Sequence, residues 1–192
     1  MNNKNKPLII GVSLVVLVII LIVVIMFIFG KSKESDLKFK SSDDLKNMIN
    51  SIYKDLGDTL PALDFQNIDS STESLKYYTG LSDGNNVDFF VVSEPLMNAQ
   101  AYSLVVIKVK DTSKIETMKQ EMYNNINMAK WLCVSAEKLY ITNSDDIIFM
   151  VMARDNWATP VYNGFKKYVN NNIGKELTKT EGGNIDFSPV AD

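Results

Sequence analysis

A long apolar run near the start of the chain constrains its architecture more than any other feature. Residues 8–29 are apolar except for Gly11 and Ser13, and none of them is charged. As a helix, the run would measure about 33 Å at ~1.5 Å per residue, enough to cross a hydrocarbon core of about 30 Å. Helices of globular domains usually keep a polar stripe, which this run lacks. The run therefore predicts a single transmembrane helix.

A cleaved signal peptide is the main alternative to this helix. The apolar core of a signal peptide usually has about 7–15 residues, and the run is far longer. Ile28 and Phe29 lie directly before residues 30–35 and disfavour a cleavage site there, and no cysteine follows the run closely enough to carry a lipid. We therefore expect an uncleaved signal anchor over residues 8–29, preceded by a tail at residues 1–7 and followed by a tether at residues 30–40.

The charges around the anchor bear on its orientation. Lys4 and Lys6 precede it, but lysines mixed with acidic residues also follow it, so a local count of positive residues is ambiguous. A short tail with two lysines is typical of a signal anchor, and a long domain is translocated largely regardless of its own charge. We expect a single-pass protein of the cell membrane, with residues 1–7 in the cytoplasm and the C-terminal domain outside.

Composition excludes several functions for the part of the chain after the anchor. The whole chain carries 20 basic and 23 acidic residues, and a mildly acidic domain is a poor binder of nucleic acid. The sequence has no histidine and one cysteine, Cys133. Histidine-dependent triads, imidazole zinc sites and internal disulfides are therefore impossible. We predict no catalytic residue, no metal site and no cofactor.

Two isolated signals for site chemistry have simpler explanations. Cys133 is flanked by apolar residues, which predicts a small buried side chain rather than a nucleophile. Asp83, Asn85 and Asp88 resemble a calcium-binding loop only superficially, because glycine occupies the second position of the segment rather than the sixth. A plain turn before a strand explains these three residues.

Hydrophobic periodicity predicts an α+β domain over residues 41–174. Four helices are expected: one from Ser41 or Ser42 to Gly57, a short one within residues 70–78, one from Asp111 or Thr112 to about Lys130, and one from near Thr159 and Pro160. Four strands are expected at residues 87–92, 102–110, 139–142 and 147–153. The order predicts a mostly antiparallel four-stranded sheet with helices packed on one face. Residues 175–192 are polar, and we expect a flexible tail.

The loop between the first two predicted strands is the candidate site. It combines a rigid proline, an apolar pair and amide side chains, and loops held by a rigid sheet often carry binding residues. The candidate partner-binding residues are Glu94, Pro95, Leu96, Met97, Asn98, Gln100 and Tyr102. The alternative is a structural crossover in which Met97 and Ala101 fill the core.

Several short segments of the chain resemble a known bacterial family. They are Tyr78-Thr79-Gly80-Leu81, Glu94-Pro95-Leu96-Met97-Asn98, the strand from Leu104 to Asp111, and the helix that ends at Trp131. Over about residues 45–170 the chain is similar to the family catalogued as domain of unknown function 4358. The resemblance implies a small extracytoplasmic protein of a low-GC Gram-positive bacterium. Many members are lipoproteins, whereas this chain has an apolar helix. The family has no assigned catalytic residues, so the resemblance implies none here.

These observations favour a non-catalytic accessory domain of a bacterial cell envelope that binds a protein or glycan partner outside the membrane. The alternative is an enzyme, or an essential subunit of one, that modifies cell-wall or surface polysaccharide. A pair of carboxylates in a sizeable pocket would favour the alternative. A flat surface with exposed apolar side chains near Pro95 would favour partner binding.

Overall fold

The computed structural model describes residues 39–68, 71–97 and 99–181. The predicted transmembrane helix, the tail before it and most of the tether lie outside these ranges, as do Asn98 and residues 182–192. No helix in the described part of the chain combines the length and apolarity needed to cross a membrane. The transmembrane helix therefore stays a prediction from the sequence.

The described residues form one antiparallel sheet and four α-helices. In chain order the elements are α1 (Ser42–Leu56), β1 (Leu63–Phe65), α2 (Thr72–Thr79), β2 (Val87–Pro95), β3 (Tyr102–Val109), α3 (Ile115–Asn125), β4 (Lys138–Ser144), β5 (Ile147–Ala153), α4 (Asp155–Tyr168) and β6 (Leu177–Thr180). The strands lie in the order β1-β2-β3-β5-β4-β6. Every neighbouring pair is antiparallel, which confirms the predicted α+β class and sheet type.

The prediction of four strands was wrong, because the sheet has six. The two missed strands are short and lie at the two edges. Strand β1 pairs with the end of β2, and β6 pairs with β4 from Ile141↔Leu177 to Lys138↔Thr180. Strand β6 lies in the segment predicted to be a flexible tail, because Leu177 is its single apolar residue. Backbone hydrogen bonds to β4, rather than side-chain periodicity, hold this strand in the sheet.

The prediction that helices cover one face of the sheet was also wrong. Helices α1 and α4 pack on one face, and α2 and α3 supply buried residues to a second core on the other. Strands β3 and β5 lie between the two cores, and every residue of β5 is buried. A continuous apolar run of this kind is typical of a strand covered on both faces. The apolar run Ile147–Ala153 therefore indicated, in the sequence itself, a strand that is covered on both faces.

Helix boundaries were predicted best where the controlling residues are local. Ser41 caps α1 through a capping box with Asp44, as the serine and aspartate pattern predicts. Helix α4 begins at Asp155, four residues before the predicted start, and the Asp155 N–H donates to Glu137 Oε2 at 3.0 Å. Helix α3 ends at Asn125, short of the predicted Lys130. At that end the Asn125 side-chain amide donates to the Gly80 carbonyl at 3.1 Å, so residues distant in sequence contact both boundaries.

Gly80 fixes how α2 meets the end of α3. Its φ of 79° lies in the left-handed region, and it closes α2 through an N–H bond to the Lys76 carbonyl. A Cβ atom at Gly80 would stand 2.9 Å from the Ile126 backbone nitrogen. Glycine is therefore required both for the backbone conformation and for the close approach of α3.

We expect Gly80→Ala to lower the free energy of unfolding by about 2–4 kcal/mol, from left-handed strain and backbone overlap together. The matched control is Gly84→Ala, whose Cβ would meet Leu75 Cδ2 at an ordinary 3.4 Å. That change should stay within about 0.5 kcal/mol of the parent. Urea denaturation followed by circular dichroism measures both, and equal losses would contradict this role for Gly80.

Candidate partner-binding surface

The structure separates the predicted site residues into exposed and buried groups. Leu96 and Met97 are 68% and 65% exposed, so Met97 does not fill the core. Glu94 and Pro95 are the last two residues of β2, and Pro95 is buried. Ala101 is fully buried, as the structural alternative predicted. Gln100 is half-buried, and Asn98 lies outside the described residues.

Tyr102 belongs to the core rather than to a surface. Its side chain is fully buried on the face that α1 and α4 cover. The Tyr102 hydroxyl donates to the Tyr53 hydroxyl at 2.9 Å, and burial raises the pKa of Tyr102 well above its usual value. A buried hydroxyl with a hydrogen-bond partner is what a stable core requires. This predicted site residue is therefore structural.

On the opposite face, a buried ion pair lies beneath the exposed loop. Lys130 Nζ is 2.5 Å from Glu94 Oε1, and the two side chains are 1% and 14% exposed. Glu94 Oε1 is itself buried, and the Lys130 ammonium is the cation that faces it. Lys130 Nζ also donates to Ser103 Oγ at 3.3 Å. Lys130 thus links the end of β2 to the start of β3.

Three aromatic rings surround the same ammonium group. Lys130 Nζ lies 4.6 Å from the ring centroid of Tyr77, 4.7 Å from that of Tyr78 and 5.4 Å from that of Trp131. The negative faces of aromatic rings attract a cation, most strongly where water is excluded. We name these six residues the Lys130 cluster: Tyr77, Tyr78, Glu94, Ser103, Lys130 and Trp131.

Burial of the Lys130 ammonium is unfavourable, and the neighbouring groups of the cluster offset that cost. Burial lowers the pKa of the Lys130 ammonium, and the Glu94 carboxylate opposes that shift. An unpaired ammonium at this depth would be strongly unfavourable, so the ring faces and the carboxylate must act together. The cluster therefore ties α2, the end of β2 and the segment after α3 into one arrangement.

The large apolar side chains that are exposed in the described part of the chain all adjoin this cluster. They are Tyr77, Leu96, Met97 and Leu132, with exposed fractions of 49%, 68%, 65% and 75%. Leu96 and Met97 follow Glu94 directly in the chain, and Leu132 follows Trp131. Three residues of chain span at most about 11 Å, so each of these residues lies within about that distance of a member of the cluster. We name these four residues the apolar surface.

Several residues of the Lys130 cluster and the apolar surface were not predicted as site residues. Tyr77, Lys130 and Leu132 had no assigned role, because they are far from Leu96 in the chain. The prediction that Cys133 is buried was wrong: it is exposed, and its φ of 59° lies in the left-handed region. The available signal in the sequence was the apolar run at residues 131–134. That run was interpreted as part of the core, because apolar residues are usually buried.

The described residues contain no group of three or more Cys, Asp or Glu side chains that could hold a metal ion. Among their surface depressions, one of 650 Å³ is lined by Glu137, Arg154 and Asp155. There, Glu137 accepts the first N–H of α4, so its carboxylate has a structural role. The apolar surface, by contrast, has no role in the packing of the domain that would explain its exposure.

Comparisons with protein-family models, with curated proteins and with solved structures find no match for this chain. The resemblance to domain of unknown function 4358 therefore stays a prediction from the quoted residues. No residue role is carried to this chain from a relative.

We expect Lys130→Met to lower the free energy of unfolding by about 2–3 kcal/mol, because it leaves the Glu94 carboxylate largely buried without a counter-charge. The double variant Lys130→Met with Glu94→Gln should recover most of that loss. Chemical denaturation of the single and double variants tests the coupling. Additive losses would show that the two charges do not stabilise each other.

Proposed function

We propose that this chain is a membrane-anchored, extracytoplasmic, non-catalytic accessory domain of a bacterial cell envelope that binds a protein partner. The apolar surface of Tyr77, Leu96, Met97 and Leu132 carries this proposal. Exposed apolar side chains that gather in one place typically mark interaction sites, whereas scattered ones need no explanation. Aromatic residues and methionine are also enriched at protein interfaces.

The chemistry of the apolar surface favours a protein over a glycan. Among its four side chains, Tyr77 alone carries a hydrogen-bonding group. A polyhydroxylated glycan would leave most of its hydroxyls unsatisfied against such a surface, at the cost of buried unpaired polar groups. An apolar patch on a partner protein has no such cost. The Lys130 cluster beneath the surface holds its loops in place, which lowers the entropy cost of binding.

The apolar surface lies away from the start of α1. The described chain begins at Phe39, and the first turns of α1 lie beside residues 87–91, at the start of β2. The apolar surface adjoins the other end of β2, about 25 Å away at ~3.3 Å per residue. The apolar surface and the start of α1 therefore lie toward opposite ends of β2.

The enzyme alternative has less support. Glycoside chemistry needs two carboxylates that converge on a bound sugar. In the depression where Glu137 and Asp155 meet, the Glu137 carboxylate binds the backbone of α4 instead. A role in polysaccharide modification would therefore be that of a binding subunit.

We expect Leu96→Ser with Met97→Ser to abolish partner capture without loss of stability, because both side chains are largely exposed. The measurement is photo-crosslinking from position 132 in native membranes, followed by mass spectrometry. The matched control is Asn50→Ser with Lys54→Ser, two exposed positions on α1. Recovery of the same partner with the loop variant and the control would exclude the apolar surface as the binding site.

Membrane topology is tested separately. If residues 8–29 anchor an outward-facing domain, protease added to intact protoplasts should remove residues 39–181. Detection by antibody against that domain measures the loss, with a cytoplasmic protein as the control for lysis. Protection of the domain in intact protoplasts would reverse the proposed orientation.

A further inference from the structure

Part of the outer edge of β2 has no neighbouring strand within the described residues. Strand β1 pairs only with Ser93, Glu94 and Pro95. The Gln66 N–H donates to the Val92 carbonyl at 3.0 Å, so Val92 points its backbone groups outward. Backbone groups alternate along a strand, and those of Phe90 therefore also point outward. An edge of this kind is a template for an added strand.

This edge lies at the bottom of a groove of about 390 Å³. The groove is lined by residues of α1, of the segment after β1, of α2 and of β2: Ser42, Lys46, Gln66, Asn67, Ile68, Ser71, Leu75, Gly84 and residues 87–91. Because residues of α1 and α2 line the groove beside the edge, we expect room for one extended segment rather than for the edge of a second sheet. A bulge between Val87 and Phe89 limits the added strand to about four residues.

The two walls of the groove differ in chemistry. Ile68, Leu75 and Phe90 form an apolar wall on the face that α2 and α3 cover. On the other face, Lys46 lies over the Phe65 ring at 6.0 Å. The Lys46 ammonium pairs at 3.3 Å with Asp43, whose side chain is 79% exposed, so this pair is weak. A fitting strand would direct apolar side chains to one wall and an acidic side chain to the other.

A segment of this chain has that pattern. Residues 184–188 read Asn-Ile-Asp-Phe-Ser, so Ile185 and Phe187 share one side of an extended chain and Asp186 takes the other. We propose that residues 184–188 of a second copy add to β2 as an extra strand. Ile185 and Phe187 then contact the apolar wall, and Asp186 faces Lys46. Strand addition of this kind combines backbone bonds with side-chain selection.

The chain's own segment cannot reach the groove. Glu181 is held beside β4 by its N–H bond to the Glu137 carbonyl. Strand β6 and β2 are four strand spacings apart, which is about 19 Å at ~4.8 Å each. The four residues from Glu181 to Ile185 span at most about 14 Å. The groove lies on the far side of β2, so the occupant must come from another copy.

The test uses a chain that ends at Glu181 and is held in lipid nanodiscs. The probe is a fluorescent synthetic peptide of residues 182–192. Fluorescence anisotropy should show saturable binding. Lys46→Glu should weaken that binding about 5-fold, because an attraction becomes a repulsion. A peptide with Asp186→Lys should bind Lys46→Glu better than it binds the parent. Lys54→Glu, the same reversal at the other end of α1, is the matched control.

No saturable binding would overturn the proposal, as would equal effects of the two charge reversals or failure of the swapped pair. The second copy is tested by disulfide trapping in a Cys133→Ser background. Asn67→Cys on one tagged chain and Asn184→Cys on another should give an oxidised dimer of mixed size. A chain with both substitutions that closes on itself as a monomer would show that its own segment reaches the groove. Neither result bears on the apolar surface, so the two proposals fail independently.

Discussion

Burial of β3 and β5 on both faces is the constraint on which the rest of the domain depends. Every residue of β5 is buried, and Lys108 is the one residue of β3 that is partly exposed. Apolar surface on both sides of a sheet must be removed from water at about 25 cal/mol per Å². Helices α1 and α4 cover one face, and α2 and α3 help to cover the other. The positions of Tyr77, Tyr78 and Lys130 follow from the packing of this second face.

A buried charge gives that second face its most specific feature. In a low-dielectric environment an ammonium is tolerated only where rings and a carboxylate replace its water shell. These partners come from α2, from β2 and from the segment after α3, so one lysine determines how the three segments meet. The exposed residues of the apolar surface are attached to these same segments. The positions of these exposed side chains therefore depend on the buried Lys130 ammonium, which a partner need not contact.

The two proposed binding regions lie toward opposite ends of β2. The apolar surface follows Pro95, and the groove lies beside Phe90, close to the start of α1. If the chain is anchored as proposed, copies are confined to one membrane, which raises their effective concentration. That confinement adds to the affinity that a short strand of about four residues has by itself. The opposite end of the sheet stays accessible to a different protein.

The sequence by itself determined those features that depend on neighbouring residues. The capped start of α1 and the bounds of β5 were predicted, because a cap and a continuous apolar run are both features of a few neighbouring residues. The candidate loop was located, and Leu96 and Met97 are exposed in it. Strands β1 and β6, the helices on both faces and the Lys130 cluster were decided by the tertiary structure. Edge strands depend on hydrogen bonds to distant backbone, and the charge of Lys130 is stabilised by side chains up to 53 residues away. Periodicity predicts that a residue is buried. Which residue it packs against is decided only when the chain folds.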